Sequence, residues 1–168
     1  RASYVFLTKS DGPADADLQS TLLRHRDERE WIECRHNPEY LQEVLGNRRM
    51  PLEWLQSKRV GALSGIAVPE SFEAFLEQFG AAEVIPFRYL DHHRFTPEEL
   101  QSVASRARRA GIEVLVTTEK DAVRIEPDYN PEIPFFFLRV EIKLLSGADS
   151  FDEVVRRICF PGEGIPAG

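Results

Sequence analysis

Residues Asp91-His92-His93 bring one carboxylate and two imidazoles together in a loop between a predicted strand and a predicted helix. Histidine is the usual proton-transfer side chain, because its unperturbed pKa of about 6.5 lies near working pH, and a nearby carboxylate can orient it. In an extended segment, successive side chains point in opposite directions, so Asp91 and His93 are expected on one face and His92 on the other. The other interpretation is a turn that Asp91 caps and whose histidines are solvated.

A second polar segment, residues 117–124, directly follows an apolar strand. Backbone N–H groups at a strand-to-helix turn, joined by Thr118 and Lys120, would suit a phosphate or a carboxylate. The alternative is a capped helix start in which Lys120 and Asp121 pair with other side chains. The residues alone leave both interpretations open.

A third segment, Thr8-Lys9-Ser10-Asp11, has the [N/T]-K-x-D form with which P-loop GTP-binding proteins read a guanine base. The companion motif of those proteins, G-x-x-x-x-G-K-[S/T], occurs nowhere in the 168 residues. The sequence therefore predicts that this chain alone does not cradle a triphosphate in that way.

The elements that must position these segments alternate between strand and helix. Apolar and β-branched runs predict strands at residues 4–7, 30–34, 59–66, 82–87, 112–117 and 135–142. Helical spacing predicts helices at about residues 15–24, 69–79, 97–110 and 151–158, the third opened by the capping box Thr96-Pro97-Glu98-Glu99. Residues 38–54 are predicted to form a short helix and then a connector.

This alternation, with no hairpin signal, favours parallel strands joined by right-handed crossovers. The predicted fold class is α/β, an open and mostly parallel sheet with helices on both faces. Ligands of such sheets bind beyond the carboxyl ends of the strands. A site is therefore expected among residues 8–11, 64–69 with 91–95, and 117–124.

Composition narrows the possible partners. The chain is 42% hydrophobic and 29% charged, as in soluble globular proteins. With 21 Lys and Arg against 28 Asp and Glu, its net charge of −7 repels phosphate backbones, so nucleic acid is not expected as a partner. Cys34 and Cys159 lie far apart and form no C-x-x-C pair, which argues against zinc and for a reducing compartment.

Three ordered motifs resemble those of the tetraacyldisaccharide 4'-kinases, which transfer the ATP γ-phosphate to the 4' hydroxyl of the lipid A disaccharide precursor. The motifs are S-G-I-A-V-P-E-S-F at residues 64–72, D-H-H-R-F at residues 91–95 and V-T-T-E-K-D-A-V-R at residues 116–124. The resemblance covers residues 58–140, and the string T-E-K-D-A-V-[K/R] is its most specific part.

The resemblance implies that this chain is a C-terminal portion, because the family's P-loop and acidic base lie in an N-terminal domain. Residues 1–56 are then expected to be the tail of the nucleotide-binding domain with a connector, and residues 57–168 a C-terminal α/β domain. ATP and magnesium are expected to be bound mainly by the N-terminal part. This chain alone is expected to be inactive.

For the site, the resemblance places His92 in the catalytic cleft, where it assists the base, and gives Asp91 the task of holding the loop and orienting His92. It assigns no chemistry to His93 and no metal ligand to this chain. The residues expected to line the cleft are Thr118, Glu119, Lys120 and Asp121.

The resemblance also implies a peripheral protein on the cytoplasmic side of the inner membrane of a Gram-negative bacterium, with the lipid A precursor and ATP as partners. Apolar residues between 40 and 55, flanked by Arg48, Arg49, Lys58 and Arg59, are one candidate for a basic-edged membrane surface. The other interpretation, favoured by the breaks at residues 46 and 51, is that they cover a junction between two domains.

Two other functions stay open. Asp91-His92-His93 also has the form of the metal-binding motif of the D-H-H phosphoesterases, with Asp15 and Asp17 as a second ligand pair, although those two suit a helix cap better. The remaining alternative is a non-catalytic interaction domain.

Overall fold

The computed structural model describes residues 5–8 and 31–159. Strands within these ranges are β1 Val5–Leu7, β2 Trp31–Glu43, β3 Arg49–Met50, β4 Arg59–Ser64, β5 Glu83–Arg88, β6 Val114–Thr118 and β7 Phe135–Ser146. Helices are α1 Pro69–Gln78, α2 Pro97–Arg109, α3 Glu119–Ala122 and α4 Ala148–Cys159, with a 3₁₀ turn at Leu52–Leu55. The helix predicted at residues 15–24 lies outside the described residues.

The strands of the described residues form one sheet in the order β1-β2-β7-β6-β4-β5, and β3 pairs with β2. The pairs β1/β2, β4/β5, β4/β6 and β6/β7 are parallel, whereas β2/β3 is antiparallel. The predicted α/β class with a mostly parallel sheet is confirmed.

The described residues divide into two compact units, one of residues 38–140 and the other of residues 5–8, 31–37 and 141–159. The larger unit contains the segments with candidate chemistry from residue 64 onward. The predicted domain boundary after residue 56 stays a prediction.

Helices α1 and α2 cover opposite faces of the sheet in the larger unit. Side chains alternate along β4, so Val60 and Ala62 pack with α1 while Leu63 packs with α2. The core on the α1 side also contains Val114, Val116, Phe136, Leu138, Phe72 and Leu76. The core on the α2 side contains Leu115, Phe135, Leu100, Val103, Ala104 and Ala107. Two buried cores thus hold the central strands rigid from both sides.

Helix α2 begins and ends where the sequence signals predict. The Thr96 hydroxyl accepts a hydrogen bond from the Glu99 backbone at 3.2 Å, and the Glu99 carboxylate accepts one from the Thr96 backbone at 2.9 Å, which completes a capping box. Gly111 follows the helix with φ of +68°, a conformation that favours glycine.

The prediction for residues 38–54 is wrong. Strand β2 continues to Glu43, and a turn leads into β3, with Leu41 opposite Met50 and Gln42 opposite Arg49. The helical spacing there extends over only a few residues, and pairing outweighs it, since Val44 N–H donates to the Phe135 carbonyl at 3.0 Å. The expectation that no hairpin occurs is wrong for the same reason.

Across residues 5–8 and 31–159, the structure contains no helix that is both long and apolar enough to span a membrane.

Candidate active site

Asp121 ties together the ends of two neighbouring strands. It lies in α3, directly after β6, and its side chain is fully buried. Its Oδ2 atom accepts hydrogen bonds from the Gly65 backbone N–H at 3.0 Å and from the Thr118 hydroxyl at 2.8 Å. Since Gly65 follows β4, this carboxylate fixes the β4 loop against the β6 loop at the carboxyl edge of the sheet.

Gly65 also contacts the loop that follows β5. Its carbonyl accepts a hydrogen bond from the His92 backbone at 2.9 Å. A Cβ atom at residue 65 would lie 3.2 Å from the Leu90 carbonyl oxygen, 3.3 Å from the His93 Cβ and 3.4 Å from Asp121 Oδ1. Only glycine lets the loops approach this closely without one of them shifting.

Three loops therefore meet at one place: residues 64–69 after β4, residues 91–95 after β5 and residues 117–124 at the end of β6. This is the place at which parallel α/β sheets bind ligands. The sequence grouped residues 64–69 with residues 91–95, and the structure adds residues 117–124 to them.

The tip of the β5 loop consists of Asp91 and His92. His92 has φ of +62°, and its side chain is 75% exposed. Its Nε2 atom lies 3.7 Å from Asp91 Oδ2, beyond hydrogen-bond range, while its Nδ1 atom lies 3.0 Å from Nη2 of Arg124. The ring is thus held on one nitrogen and open to solvent elsewhere.

The base of the same loop is His93, which is enclosed. Its Nε2 lies 2.9 Å from Glu99 Oε2, and its ring stacks on Tyr89 with 4.8 Å between centroids. The hydrogen bond from the Thr96 backbone, followed by that from His93, holds the pKa of Glu99 below its ordinary value. Burial, with the charge of Glu99 adding to it, raises the pKa of Tyr89.

The extended geometry expected for residues 91–93 is wrong, because Asp91 and His92 form a turn. The left-handed backbone of His92 brings its ring near Asp91, the residue expected on the opposite face. Asp91 is within range to act on His92 electrostatically, but Arg124 makes the direct contact.

At the end of β6, Thr118 caps α3, and its hydroxyl accepts a hydrogen bond from the Asp121 backbone N–H at 3.2 Å. Glu119 pairs with Arg139, and Lys120 is exposed. For Thr118 and Asp121 the structure shows the capped and paired arrangement, whereas Lys120 faces solvent. The cleft-lining role assigned to these four residues stays a prediction.

Two residues that make contacts in this site, Gly65 and Arg124, were not among the individual site residues predicted from the sequence. Both lie inside the motifs that carry the family resemblance, which was the available signal. The hydroxyls of Ser64 and Thr117, at the ends of β4 and β6, are buried without a hydrogen-bond partner among the described residues. Thr8 follows β1 and is exposed, and residues 9–11 lie outside the described residues.

Comparisons with known proteins agree with the motifs. The family model described as tetraacyldisaccharide-1-P 4'-kinase matches residues 1–159. The chain belongs to the tetraacyldisaccharide 4'-kinase family. A tetraacyldisaccharide 4'-kinase of Anaeromyxobacter dehalogenans strain 2CP-C is 39% identical over 153 residues, which cover 89% of this chain and 40% of that protein.

Other relatives give the same family. The tetraacyldisaccharide 4'-kinase of Syntrophus aciditrophicus is 37% identical over 71% of this chain and 32% of its own length. A crystal structure of LpxK from Aquifex aeolicus in complex with ATP aligns with 92% of this chain and 51% of that one, at 19% identity and a TM-score of 0.48. The chain spans about 40% of the length of the first of these kinases.

Proposed function

We propose that this chain is the C-terminal portion of an ATP-dependent kinase that phosphorylates the 4' hydroxyl of the tetraacyldisaccharide 1-phosphate precursor of lipid A. Membership of the 4'-kinase family over residues 1–159 supports this. The relatives are more than twice as long as the matched segment, so the activity is proposed for the longer protein.

The observation that carries the proposal is the convergence of the three family motifs at the carboxyl edge of the sheet. Asp121 and Gly65 join them, and the exposed ring of His92 lies at their surface. A solvent-accessible imidazole can exchange a proton with a substrate or with a neighbouring base. We place His92 in the catalytic cleft, assisting the base, with Asp91 close enough to influence its ring.

The described residues show no metal-binding cluster of their own. No group of three His, Cys, Asp or Glu side chains converges within residues 5–8 and 31–159. The sequence also holds no G-x-x-x-x-G-K-[S/T] motif to cradle a triphosphate. ATP and magnesium are therefore proposed to be bound mainly by the part of the kinase that lies outside this chain.

Membrane contact is also proposed for the longer protein, as a peripheral enzyme on the cytoplasmic side of the inner membrane. Of the apolar residues considered for such a surface, Leu41, Leu52 and Leu55 are buried in the core beside α1. The guanidiniums of Arg48 and Arg49 stack on the rings of Phe136 and Tyr40, respectively. The basic-edged surface, the less favoured of the two interpretations, is therefore contradicted at these three residues.

The D-H-H phosphoesterase alternative has lost its support, because the chain belongs to a kinase family. Asp15 and Asp17, its second ligand pair, lie outside the described residues. Metal analysis still separates the two functions, since the phosphoesterase requires stoichiometric manganese in the purified protein and the kinase portion does not.

The test of the proposed function is a phosphoryl-transfer assay with labelled ATP and the tetraacyldisaccharide 1-phosphate. We expect the full-length protein to form the 4'-phosphorylated product and this 168-residue chain to form none. Product formed by the isolated chain would contradict the proposal that ATP and magnesium are bound mainly by the part of the kinase outside this chain. Absence of product with the full-length protein would contradict the proposed function itself.

A further inference from the structure

Four contacts link the backbone of His92 to its own imidazole. The His92 backbone donates to the Gly65 carbonyl at 2.9 Å, and the Gly65 backbone donates to Asp121 Oδ2 at 3.0 Å. Asp121 Oδ1 lies 3.6 Å from Nη1 of Arg124, and Nη2 of Arg124 lies 3.0 Å from His92 Nδ1. These contacts run through three other residues, Gly65, Asp121 and Arg124.

The chemistry of arginine determines which nitrogen of the His92 imidazole carries a proton. A guanidinium carries only donors and does not lose its proton in proteins. A nitrogen at 3.0 Å from Nη2 of Arg124 must therefore accept, so Nδ1 of a neutral His92 carries no hydrogen. The proton of the ring is then on Nε2, the nitrogen that lies 3.7 Å from Asp91 Oδ2.

The geometry of Arg124 suits it to hold the ring in place. One arm of its fork faces the buried Asp121 carboxylate, and the other faces His92. The backbone N–H of Arg124 also donates to the Asp121 carbonyl at 3.0 Å, and the Arg124 side chain is only 26% exposed. A lysine, which the string T-E-K-D-A-V-[K/R] also has at this position, would keep the charge and a donor but has no planar fork to contact both partners at once.

We propose that Arg124 is a positioning residue, which fixes His92 in the Nε2–H tautomer, with Nε2 3.7 Å from Asp91 Oδ2. The tautomer follows from the contacts of this chain alone. Its consequence for phosphoryl transfer rests on the proposed function: His92 would meet its partner in the cleft with a proton on Nε2.

The tautomer can be observed directly by imidazole ¹H–¹⁵N correlation spectra of the ¹⁵N-labelled chain, recorded above the usual histidine pKa. His92→Gln identifies the His92 signals among those of the four histidines. We expect an unprotonated Nδ1 and a protonated Nε2. In Arg124→Met, which removes the donors, we expect the two nitrogen shifts to move towards each other as the Nδ1–H form becomes populated.

The matched control is Arg94→Met, because Arg94 is exposed and lies two residues from His92, and it should leave the His92 signals unchanged. Arg124→Lys keeps a donor and the charge, so it should retain the unprotonated Nδ1 that Arg124→Met loses. A protonated Nδ1 in the unaltered chain would overturn the proposal without any variant. Identical His92 signals in a folded Arg124→Met chain would overturn it as well.

A second readout uses the full-length kinase. Arg124→Met should lower kcat by up to about 10²-fold, the cost of a misplaced catalytic group, with KM for ATP unchanged. An unchanged kcat would overturn the positioning role. If even the unaltered full-length protein forms no product, the proposed function fails, while the tautomer measured on this chain still decides the structural assignment.

Discussion

The tip and the base of the loop after β5 place two consecutive histidines in opposite environments. At the tip, His92 has a left-handed backbone, a side chain that is 75% exposed, and one contact to Arg124. At the base, His93 is hydrogen-bonded to Glu99, stacks on Tyr89 and meets the ring of Phe95 edge-on. The tip is free to meet a substrate, whereas the base fixes the loop to helix α2.

The difference shows that residue type does not decide which histidine can act in catalysis. The ring of His93 stacks on one aromatic side chain, meets a second edge-on and has its Nε2 engaged by a carboxylate, so it is less available to a ligand. A ring that protrudes with only Nδ1 engaged can reach a ligand. We therefore propose a proton-transfer role for the tip and a stabilising role for the base.

The largest expected effect comes from removing the carboxylate that supports the tip. Asp121→Ala leaves the Gly65 N–H and the Thr118 hydroxyl without their buried acceptor and Arg124 without its partner. We expect a loss of about 2–5 kcal/mol in the free energy of unfolding, measured by urea denaturation of this chain. Asp128→Ala, at an exposed position, is the control and should change it by less than about 0.5 kcal/mol.

A smaller effect separates the two histidines directly. His93→Ala removes two ring contacts and the hydrogen bond to Glu99, so we expect it to lower the free energy of unfolding by about 1–3 kcal/mol. His92→Ala removes one exposed contact and should cost less than about 1 kcal/mol. Equal losses in urea denaturation would erase the distinction between tip and base.

The smallest effect is a pH dependence at the base. The folded-state pKa of Glu99 is lowered by the Thr96 backbone and by His93, so its contribution to stability is present above the ordinary carboxyl pKa and is lost as pH falls through the lower folded value. Glu99→Gln keeps a capping side chain but does not titrate. We expect the unaltered chain to be more stable than Glu99→Gln near neutral pH.

In urea denaturation this advantage should shrink as pH falls below the ordinary carboxyl pKa, and it should disappear once the carboxylate is protonated in both the folded and unfolded states. A constant difference between the two proteins across the pH range would mean that the charge of Glu99 contributes nothing at the base.

Much of the fold could be predicted because its signals are local. The capping box at Thr96 and the glycine after α2 specify that helix without reference to the rest of the chain. Strand β2 beyond Cys34 was missed, because Tyr40, Leu41 and Val44 have the spacing of a short helix. What makes this segment a strand is pairing with distant residues, and no local pattern shows such pairing.

The site was predictable in its location but not in its geometry. Ligands of parallel sheets bind beyond the carboxyl ends of the strands, so the fold class directed attention to the segments that follow β4, β5 and β6. The turn at His92 and its contact with Arg124, 32 residues away, depend on a positive φ and on tertiary packing. Neither is encoded in the periodicity of the sequence.

The most direct test of the account is the kcat of full-length kinases that carry His92→Ala or His93→Ala. His92 is the exposed ring at the junction of the family motifs, so His92→Ala should lower kcat by about 10²-fold or more, as the loss of a proton-transfer group does. His93→Ala should have a much smaller effect. Equal losses at both positions, or no loss at His92, would contradict the assignment of the active site to the tip.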